Sequence, residues 1–241
     1  MINNYNDLYS EKYIVKSSDV CDAGYLKISR MFDALHDSLN NKLKPVNYDR
    51  DSLYKRGLLW VLGEQTAEIT NLPKADDDIS IYCWIGNEFM TFFPVFYEIH
   101  DSNSNVLVKV SSVWAIIDKD SREKKNPLDY NIDLGIQKTG NEISVLNTPR
   151  HLDINGESEY TVAKHNLDFN NHMNNAQYFD IIDDINPIIS QNKMPRQVIT
   201  RYAHEAFLDD VLNISWGSSD NSIFYSIDNN NSNCMKVRIE Y

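Results

Sequence analysis

YTVAKHNLDFNNHMNNAQYFDIIDD, residues 160–184, aligns without a gap with YIVKSSDVCDAGYLKISRMFDALHD, residues 13–37, at an offset of 147 residues in a chain of 241. The aligned pairs include Tyr13 with Tyr160, Leu26 with Met173, Phe32 with Phe179 and Asp33 with Asp180. Self-similarity at a fixed offset is typical of a repeated structural unit. The sequence therefore predicts two related units, one in each half of the chain.

Both copies predict the same order of local structure, which is a short strand, a polar loop and an apolar helix. The strands are expected at residues 13–17 and 160–164, where the pattern alternates. Apolar residues then recur at helical intervals, which predicts a helix over residues 27–43 and a second helix that stops before Pro187. These apolar residues are Leu26, Met31, Leu35 and Leu39 in the first copy and Tyr178, Phe179, Ile182 and Ile185 in the second.

Runs rich in β-branched and aromatic residues follow each helix and predict strands. They are residues 58–69, 79–85, 89–100 and 106–117 in the first half, and residues 198–206, 211–216, 222–227 and 235–241 in the second. Each half is thus one helix followed by an antiparallel meander, an α+β layout in which the helix buries its apolar stripe against the sheet. This layout is the outline of a tandem, or double, hot-dog fold.

A polar stretch from about residue 118 to residue 157 separates the two halves. It contains Pro127 and Pro149 and few apolar runs, as is typical of a connection between units. We therefore predict an N-terminal unit over residues 1–140, a linker over residues 141–157 and a C-terminal unit over residues 158–241.

The composition limits the class of protein. With 42% hydrophobic residues the chain can bury a substantial core. Its formal net charge of -12 argues against a nucleic acid or an anionic membrane surface as partner. We expect neither a membrane span nor a secretion signal, because no apolar run is long enough and the first residues lack a basic and an apolar region. Cys21, Cys83 and Cys234 show no disulfide or zinc spacing, which favours a cytoplasmic protein.

The second copy carries a cluster of polar side chains that the first copy lacks. Asp168, Asn170 and His172 stand two residues apart, and these three types can supply a base, a proton carrier and hydrogen-bond groups to one pocket. At the offset of 147 the first copy has Cys21, Ala23 and Tyr25. The alternative is an Asn-rich turn, because Asn and Asp tolerate left-handed backbone. A turn kept only for folding should be polar in both copies, so we predict a working site in the second unit.

At this point the chain resembles a known family, the acyl-[acyl carrier protein] thioesterases of the plant FatA/FatB type and their bacterial relatives. The most specific part of the resemblance is Asp168-x-Asn170-x-His172-x-Asn174-Asn175. Weaker matches are Leu59–Leu62, and Val113–Asp118 with Ser121 and Arg122 after it. The resemblance covers almost the whole chain and agrees with the double hot-dog layout.

Residues 201–206 are similar to a family segment in which a glutamate is followed by a cysteine. Glu205 matches the glutamate, but Ala206 occupies the place of the cysteine. An alanine side chain cannot act as a nucleophile. The sequence therefore excludes a Cys-His-Asn scheme of papain type for this chain and favours a carboxylate mechanism.

The resemblance implies hydrolysis of a fatty acyl thioester carried on the phosphopantetheine arm of acyl carrier protein, with release of free fatty acid. The hypothesised catalytic residues are Asp168, Asn170, His172 and Glu205. Glu205 is the general base or the direct nucleophile, and Asp168 and His172 hold and polarise it or shuttle its proton. Asn170 orients the thioester carbonyl or the attacking water.

Two supporting roles are also expected. Asn174 or Asn175 caps the following helix, whose backbone N–H groups face the oxyanion. First-half aromatic residues line or floor the acyl tunnel, which by family analogy belongs to the first unit. These aromatic residues are Trp60, Phe89, Phe92, Phe93, Phe96 and Trp114.

Three other functions stay open at the level of sequence. An acyl-CoA thioesterase is the same chemistry on another carrier. A hot-dog hydratase or dehydratase also joins an Asp to a His, but its signature Asp-x-Asn-Pro-x-His places the His five residues after the Asp, whereas His172 follows Asp168 by four. A non-catalytic acyl-binding protein would retain the polar cluster as a relic.

The predicted partner, acyl carrier protein, is acidic, so its docking requires a local basic surface on this acidic chain. Residues 122–125, or Lys193 with Arg196, are the candidates. No cofactor is predicted, and no metal is indicated because Met173 replaces the Gly and Phe179 the Glu of a calcium loop. A homodimer is compatible with the sequence, but the tandem layout already mimics the usual hot-dog dimer.

Overall fold

A computed structural model describes residues 5, 8–87, 89–126, 134, 137, 139, 141–148, 153–219, 221–230 and 232–241. Within this part the chain forms ten strands and three α-helices. The helices are α1 Ile28–Leu43, α2 Arg50–Lys55 and α3 Gln177–Ile185. The strands are β1 Tyr9–Ile14, β2 Leu58–Ile69, β3 Asp78–Ile85, β4 Phe92–His100, β5 Val106–Asp118, β6 Gly156–Thr161, β7 Gln197–Tyr202, β8 Val211–Ser219, β9 Ser222–Asn229 and β10 Ser232–Glu240.

All ten strands join into one antiparallel sheet with the order β1-β3-β4-β5-β2-β7-β10-β9-β8-β6. The order is symmetric about its centre, because β2 and β7, β5 and β10, β4 and β9, β3 and β8, and β1 and β6 occupy matching positions. The two units meet where β2 pairs with β7, from Glu64 opposite Arg201 to Glu68 opposite Gln197. This arrangement confirms the predicted double hot-dog fold.

The repeat is preserved in the strand register and in the short turns. Tyr13 pairs with Ile79 across β1 and β3, and Tyr160 pairs with Leu212 across β6 and β8. The short 3-10 turns Ser17–Asp19 and Lys164–Asn166 follow at the same offset of 147 residues. Two halves that share register, turns and strand order are best explained as copies of one unit, as predicted.

The helices bury the stripes that the periodicity indicated. Met31, Leu35 and Leu39 of α1 are buried, and α1 packs against β3. The two units also contact each other through their helices, since the rings of Phe32 and Phe179 lie 5.1 Å apart. Helix α3 has only nine residues against sixteen in α1, because Pro187 cannot donate a backbone hydrogen bond and disfavours helix just before it.

A tyrosine bonded to the next 3-10 turn closes the same corner in both units. The Tyr13 hydroxyl donates to Asp19 Oδ2 at 2.7 Å, and the Tyr160 hydroxyl donates to Asn166 Oδ1 at 2.9 Å. The acceptor is a carboxylate in the first unit and a neutral amide in the second. Burial by itself would raise the pKa of Asp19, but the hydrogen bonds from Tyr13 and from the backbone of Lys16 outweigh burial and lower it.

We expect Tyr13→Phe to lower the free energy of unfolding by about 2 kcal/mol and Tyr160→Phe by about 1 kcal/mol, because hydrogen bonds to charged acceptors contribute more. The lowered pKa of Asp19 means that its contribution is present above its unfolded pKa and is lost as the pH falls through its folded pKa. Urea denaturation of both variants near pH 7 and below about pH 4 measures this. Equal costs at both pH values would contradict the assignment.

Several boundaries differ from the prediction. Strands β1 and β6 begin and end earlier than residues 13–17 and 160–164, and α2 was not predicted because its apolar pattern spans only six residues. Pro127 of the polar stretch and residues 149–152 of the predicted linker, including Pro149, lie outside the described residues, and the unit boundaries at 140 and 158 stay a prediction. None of the described helices is long and apolar enough to cross a membrane.

Candidate active site

Two chain segments of the second unit are joined at the polar cluster. The loop that precedes α3 contains Asp168, Asn170 and His172, and the segment after β7 contains Glu205. Met173 N donates to Ala206 O at 2.8 Å, and His172 pairs with Phe207 in an isolated β-bridge. These backbone contacts bring Glu205 beside His172 although 33 residues separate them in sequence.

The loop has the same backbone in both units. Asp168 N donates to His172 O at 2.7 Å, and Cys21 N donates to Tyr25 O at 2.9 Å. The left-handed residue of the turn is Asn171 (φ 62°) in the second unit and Gly24 (φ 82°) in the first. The first unit therefore builds this turn with Cys21 at the position of the Asp168 carboxylate, which supports the interpretation that the second unit's polar residues serve more than folding.

The Asp168 carboxylate bonds within its own loop. Its Oδ1 accepts from Asn170 N at 2.8 Å and from His172 N at 3.1 Å, and its Oδ2 lies 3.4 Å from Asn170 Nδ2. Among the described residues it has no hydrogen bond to Glu205. The structure thus places Asp168 as an anchor of Asn170 and His172, and its predicted role toward Glu205, to hold and polarise it or to shuttle its proton, stays a prediction.

Glu205 is held by two donors from different parts of the chain. His172 Nδ1 lies 3.1 Å from Glu205 Oε1. Arg122 Nη2 donates to the same oxygen and forms an ion pair with it. The side chain of Glu205 is 33% exposed, so the carboxylate lies at a boundary between protein and solvent.

The predicted strand over residues 198–206 is wrong at its end. Strand β7 stops at Tyr202, and Glu205 lies in the irregular segment that follows it. The reason is that Ala203 N makes the last bond toward β10, to Cys234 O at 2.9 Å, and the chain then turns to pair with the loop at Met173. Leaving the sheet is what carries Glu205 to His172.

The two donors control the ionisation of Glu205. Burial favours the neutral acid and raises the pKa, but the hydrogen bond and charge of His172 and the charge of Arg122 outweigh burial. The net effect lowers the pKa of Glu205 below its usual value of 4.5. Glu205 is therefore a carboxylate at neutral pH, the form that can take a proton or attack a carbonyl.

The cluster borders a cavity of about 760 Å³ that spans both units. Apolar wall comes from β2 and β5 of the first unit, and the second unit contributes the loop and the Glu205 segment. Trp60, Phe92 and Trp114 line this cavity, as expected. Phe93 packs edge-on against Trp60, whereas Phe96 stacks on Trp84 and Phe89 is 70% exposed, so these three do not line it.

The opposite wall of the cavity is polar. It is the face of α1 that carries Asp33, His36, Asp37 and Asn40. Burial lowers the pKa of His36 to about 4, so its imidazole is neutral at physiological pH. Asn174 Nδ2 lies 3.3 Å from Asp33 Oδ1, which connects this wall to the loop of the second unit.

Asn170 presents a hydrogen-bond acceptor without a partner. Its Oδ1 is buried and has no donor among the described residues, although buried polar atoms in folded proteins are nearly always paired. Asn170 also lines the cavity, so its side-chain amide borders the space that a substrate would enter.

The backbone N–H groups at the start of α3 were predicted to face the oxyanion, but several of them are bonded to other protein groups. The side chain of Asn174 accepts from Ala176 N at 2.8 Å, just before α3, and does not cap its first turn. The N–H groups of Met173, Asn174, Ala176 and Gln177 are all bonded within the protein. These four groups are therefore not available to a substrate oxygen.

Arg122 is the residue that the sequence argument did not place in the site. It was singled out as part of a family-like stretch and of a possible basic docking surface, but not as a partner of Glu205. The available signal was its position directly after the family-like stretch Val113–Asp118, but nothing in that spacing indicates a contact with Glu205, 83 residues away.

No group of three or more His, Cys, Asp and Glu side chains in the described ranges could hold a metal ion. The fold and the site together define a two-unit hot-dog protein. A carboxylate, an imidazole and an amide are clustered in its second unit, beside a cavity that both units line. The chain belongs to the acyl-ACP thioesterase family, since residues 6–130 match the acyl-ACP thioesterase N-terminal domain and residues 150–241 match the C-terminal domain.

Individual relatives are distant in sequence but close in fold. The chloroplastic acyl-[acyl-carrier-protein] hydrolase FATB2 of Cuphea viscosissima is 20% identical over 221 residues, which is 85% of this chain and 54% of that protein. The chain thus spans about half the length of this plant relative. An acyl-ACP thioesterase from Bacteroides thetaiotaomicron superposes with a TM-score of 0.81 at 19% identity and covers 98% of each chain. An oleoyl thioesterase (putative) from Lactobacillus plantarum gives a TM-score of 0.83 at 20% identity and covers 97% of this chain and 95% of its own.

Proposed function

We propose that this protein hydrolyses fatty acyl-[acyl carrier protein] thioesters and releases free fatty acid, which ends chain elongation. The observation that carries the proposal is a carboxylate, Glu205, held in its ionised form by His172 and Arg122 at a cavity large enough for an acyl chain. Membership of the acyl-ACP thioesterase family and its similarity to plant acyl-[acyl-carrier-protein] hydrolases support the substrate class.

The chemistry needs an activated oxygen nucleophile, because a thioester carbonyl is already electrophilic and a thiolate leaves readily. In the proposed reaction, Glu205 takes a proton from a water molecule whose oxygen attacks the carbonyl carbon. The carbon–sulfur bond then breaks, and the proton passes to the departing sulfur. The products are the fatty acid and the free thiol of the phosphopantetheine arm. Direct attack by Glu205, with hydrolysis of the resulting anhydride, gives the same products.

The other site residues position these reactants. Asn170 Oδ1, the unpaired acceptor, orients the attacking water by accepting its second hydrogen. His172 fixes Glu205 through Nδ1. Asp168 fixes the backbone N–H groups of both Asn170 and His172, so it acts through them.

An acyl-CoA thioesterase is the second candidate, and the chain's net charge of -12 favours it over an acidic carrier protein. The charge of the cavity lining differs from the acidic charge of the whole chain, because exposed cationic side chains lie among the carboxylates of the lining. These cations are Arg50, Arg122, Lys124 and Arg201. They can meet either the acidic surface of a carrier protein or the phosphates of coenzyme A. The earlier alternative site, Lys193 with Arg196, does not line the cavity.

Release of free thiol from a panel of substrates tests the function. The panel contains saturated acyl chains of increasing length on acyl carrier protein and on coenzyme A, with 3-hydroxyacyl thioesters beside them. We expect hydrolysis of the saturated carrier-protein substrates, with rates that fall as salt rises because the carrier is charged. His172→Ala should lower every rate by about tenfold, since Arg122 still holds Glu205 but its geometry loosens.

Each outcome of the panel has a meaning. Faster hydrolysis of the coenzyme A substrates than of the carrier-protein substrates would identify the protein as an acyl-CoA thioesterase. Water loss from the 3-hydroxyacyl substrates without thiol release would identify a dehydratase. Binding without any turnover would identify a non-catalytic acyl-binding protein.

The location and assembly of the protein are further parts of the proposal. Cys21, Cys83 and Cys234 are free thiols, which is typical of a reducing compartment and supports a cytoplasmic location. Each chain already contains the pair of hot-dog units that other members of the fold obtain by dimerisation. A homodimer is therefore not required for the site to form.

A further inference from the structure

Arg122 belongs to the first unit, yet it reaches the site of the second. It lies in the loop that follows β5, with left-handed backbone (φ 62°), and its N–H donates to Asp118 O at 3.0 Å. Asp118 stabilises the same loop through Oδ1, which accepts from Asp120 N at 3.1 Å and Ser121 N at 2.9 Å. This network holds the base of the Arg122 side chain in a defined place.

Arg122 and His172 converge on one atom. Both donate to Oε1 of Glu205, and among the described residues Oε2 has no hydrogen-bond partner. Two donors on one oxygen fix the orientation of the carboxylate and direct the second oxygen elsewhere. Oε2 is therefore the oxygen that remains available to a water or a thioester.

We propose that Arg122 is a positioning residue for Glu205, so that the first unit completes the catalytic site as well as shaping the cavity. The inference rests on the proposed function of Glu205 as base or nucleophile. It gives Arg122 two effects, one on the orientation of the carboxylate and one on its charge state.

The charge effect has a definite sign. The titratable and charged groups that border the cavity near Glu205 are Arg201 and His204 on its own segment, Asp168 and His172 on the loop, and Arg122 and Lys124 after β5. Arg122 is the cation in direct contact, and it helps to lower the pKa of Glu205. Removal of Arg122 therefore raises this pKa. Because the reaction needs the carboxylate, the acid limb of the rate profile then moves to higher pH.

The competing explanation is that Arg122 only attracts the carrier. It is exposed and adjacent to Lys124, whose Nζ lies 4.4 Å from the Phe92 ring centre. A docking residue acts only on substrates that bring a carrier and changes KM more than kcat. A positioning residue acts on every thioester and changes kcat and the pH profile.

The decisive experiment compares Arg122→Gln with wild type on acyl carrier protein substrates and on a carrier-free acyl thioester of N-acetylcysteamine. We expect kcat to fall about tenfold on both and the acid limb of kcat to rise by about one pH unit. Arg122→Lys should restore part of the pH shift, because it returns the charge without the planar fork of donors. Arg238→Gln is the charge-matched control, since Arg238 forms a similarly exposed ion pair with Glu240 outside the cavity lining, and it should leave both parameters unchanged.

A change confined to KM, on carrier-protein substrates alone, would overturn the proposal. A second measurement makes the test independent of turnover. In ¹³C NMR titrations of the side-chain carboxyl groups, the Glu205 resonance is identified by its absence in Glu205→Gln, and its pKa should rise in Arg122→Gln. An unchanged pKa of Glu205 in Arg122→Gln would contradict the inference, even if no thioester proved to be a substrate. A raised pKa together with an inactive wild-type protein would confirm the effect of Arg122 on Glu205 and reject only the proposed function.

Discussion

Glu205→Gln will lower kcat for acyl thioester hydrolysis by about a thousandfold, which is the usual scale for loss of a general base. The amide has nearly the size and shape of the carboxylate, so the cavity and the contact with Arg122 through the remaining carbonyl oxygen should persist. What is lost is the ability to accept a proton or to attack a carbonyl carbon. KM should change little, because Glu205 is one of many residues that line the cavity.

The same prediction includes a pH dependence for the wild type. Since the pKa of Glu205 is lowered, the residue stays ionised as the pH falls below neutrality, and activity should decline only when the pH drops through that lowered value. Stopped assays of kcat from about pH 7 down to about pH 3, well below the usual value of a glutamate, measure this limb. Near-normal turnover by Glu205→Gln would remove the residue from the mechanism, and the remaining candidates would be His172 and Asp168.

Asp168→Ala should give the next largest loss, a fall in kcat of about a hundredfold, although Asp168 does not touch Glu205. Its Oδ1 holds the N–H groups of Asn170 and His172, and displacement of catalytic groups by about an ångström costs on this scale. The fold should survive, because the first unit builds the same turn with Cys21 at the equivalent position. We expect the free energy of unfolding to drop by only about 1 to 2 kcal/mol for the lost hydrogen bonds.

Two matched variants separate anchoring from charge. Asp168→Asn keeps an oxygen acceptor without the negative charge, so it should retain most of the activity if Asp168 is an anchor. Combining Asp168→Ala with Asn171→Gly copies the glycine of the first unit, where Gly24 has the same left-handed backbone. That pair should recover stability but not kcat. Equal losses in the Asn and Ala variants would instead indicate that the charge itself is required.

The fold was predictable because both copies of the repeat carry the same pattern of strand, polar loop and apolar helix. The strand β2 was predicted at its observed limits, Leu58–Ile69, although Gly63, Glu64 and Gln65 interrupt its apolar and β-branched residues. The offset of 147 holds for the 3-10 turns and for the tyrosine corners at Tyr13 and Tyr160, which no strand or helix propensity would indicate. What failed were the ends of elements, where local pattern is weakest.

The site was predictable only in part, for reasons that differ between residues. His172 and Asn170 stand in a short local motif, and the contrast with the first copy made them visible. Glu205 was found through resemblance, but its departure from β7 depends on backbone bonds to Met173 that sequence periodicity does not encode. Arg122 was missed as a partner of Glu205, because a contact between units depends on how the two sheets join.

The pairing of β2 with β7 between the units means that neither unit is expected to be stable as a separate monomer. The edge strand of each unit, β2 or β7, pairs with the edge strand of the other unit. Separation of the units would expose the unpaired N–H and C=O groups of these strands, which can pair with other chains and cause aggregation. A gene that carried one unit alone would have to restore this neighbour by self-association and would then display two identical pockets. In the single chain the two halves differ, since only the second carries the polar loop and the first contributes an arginine to the site.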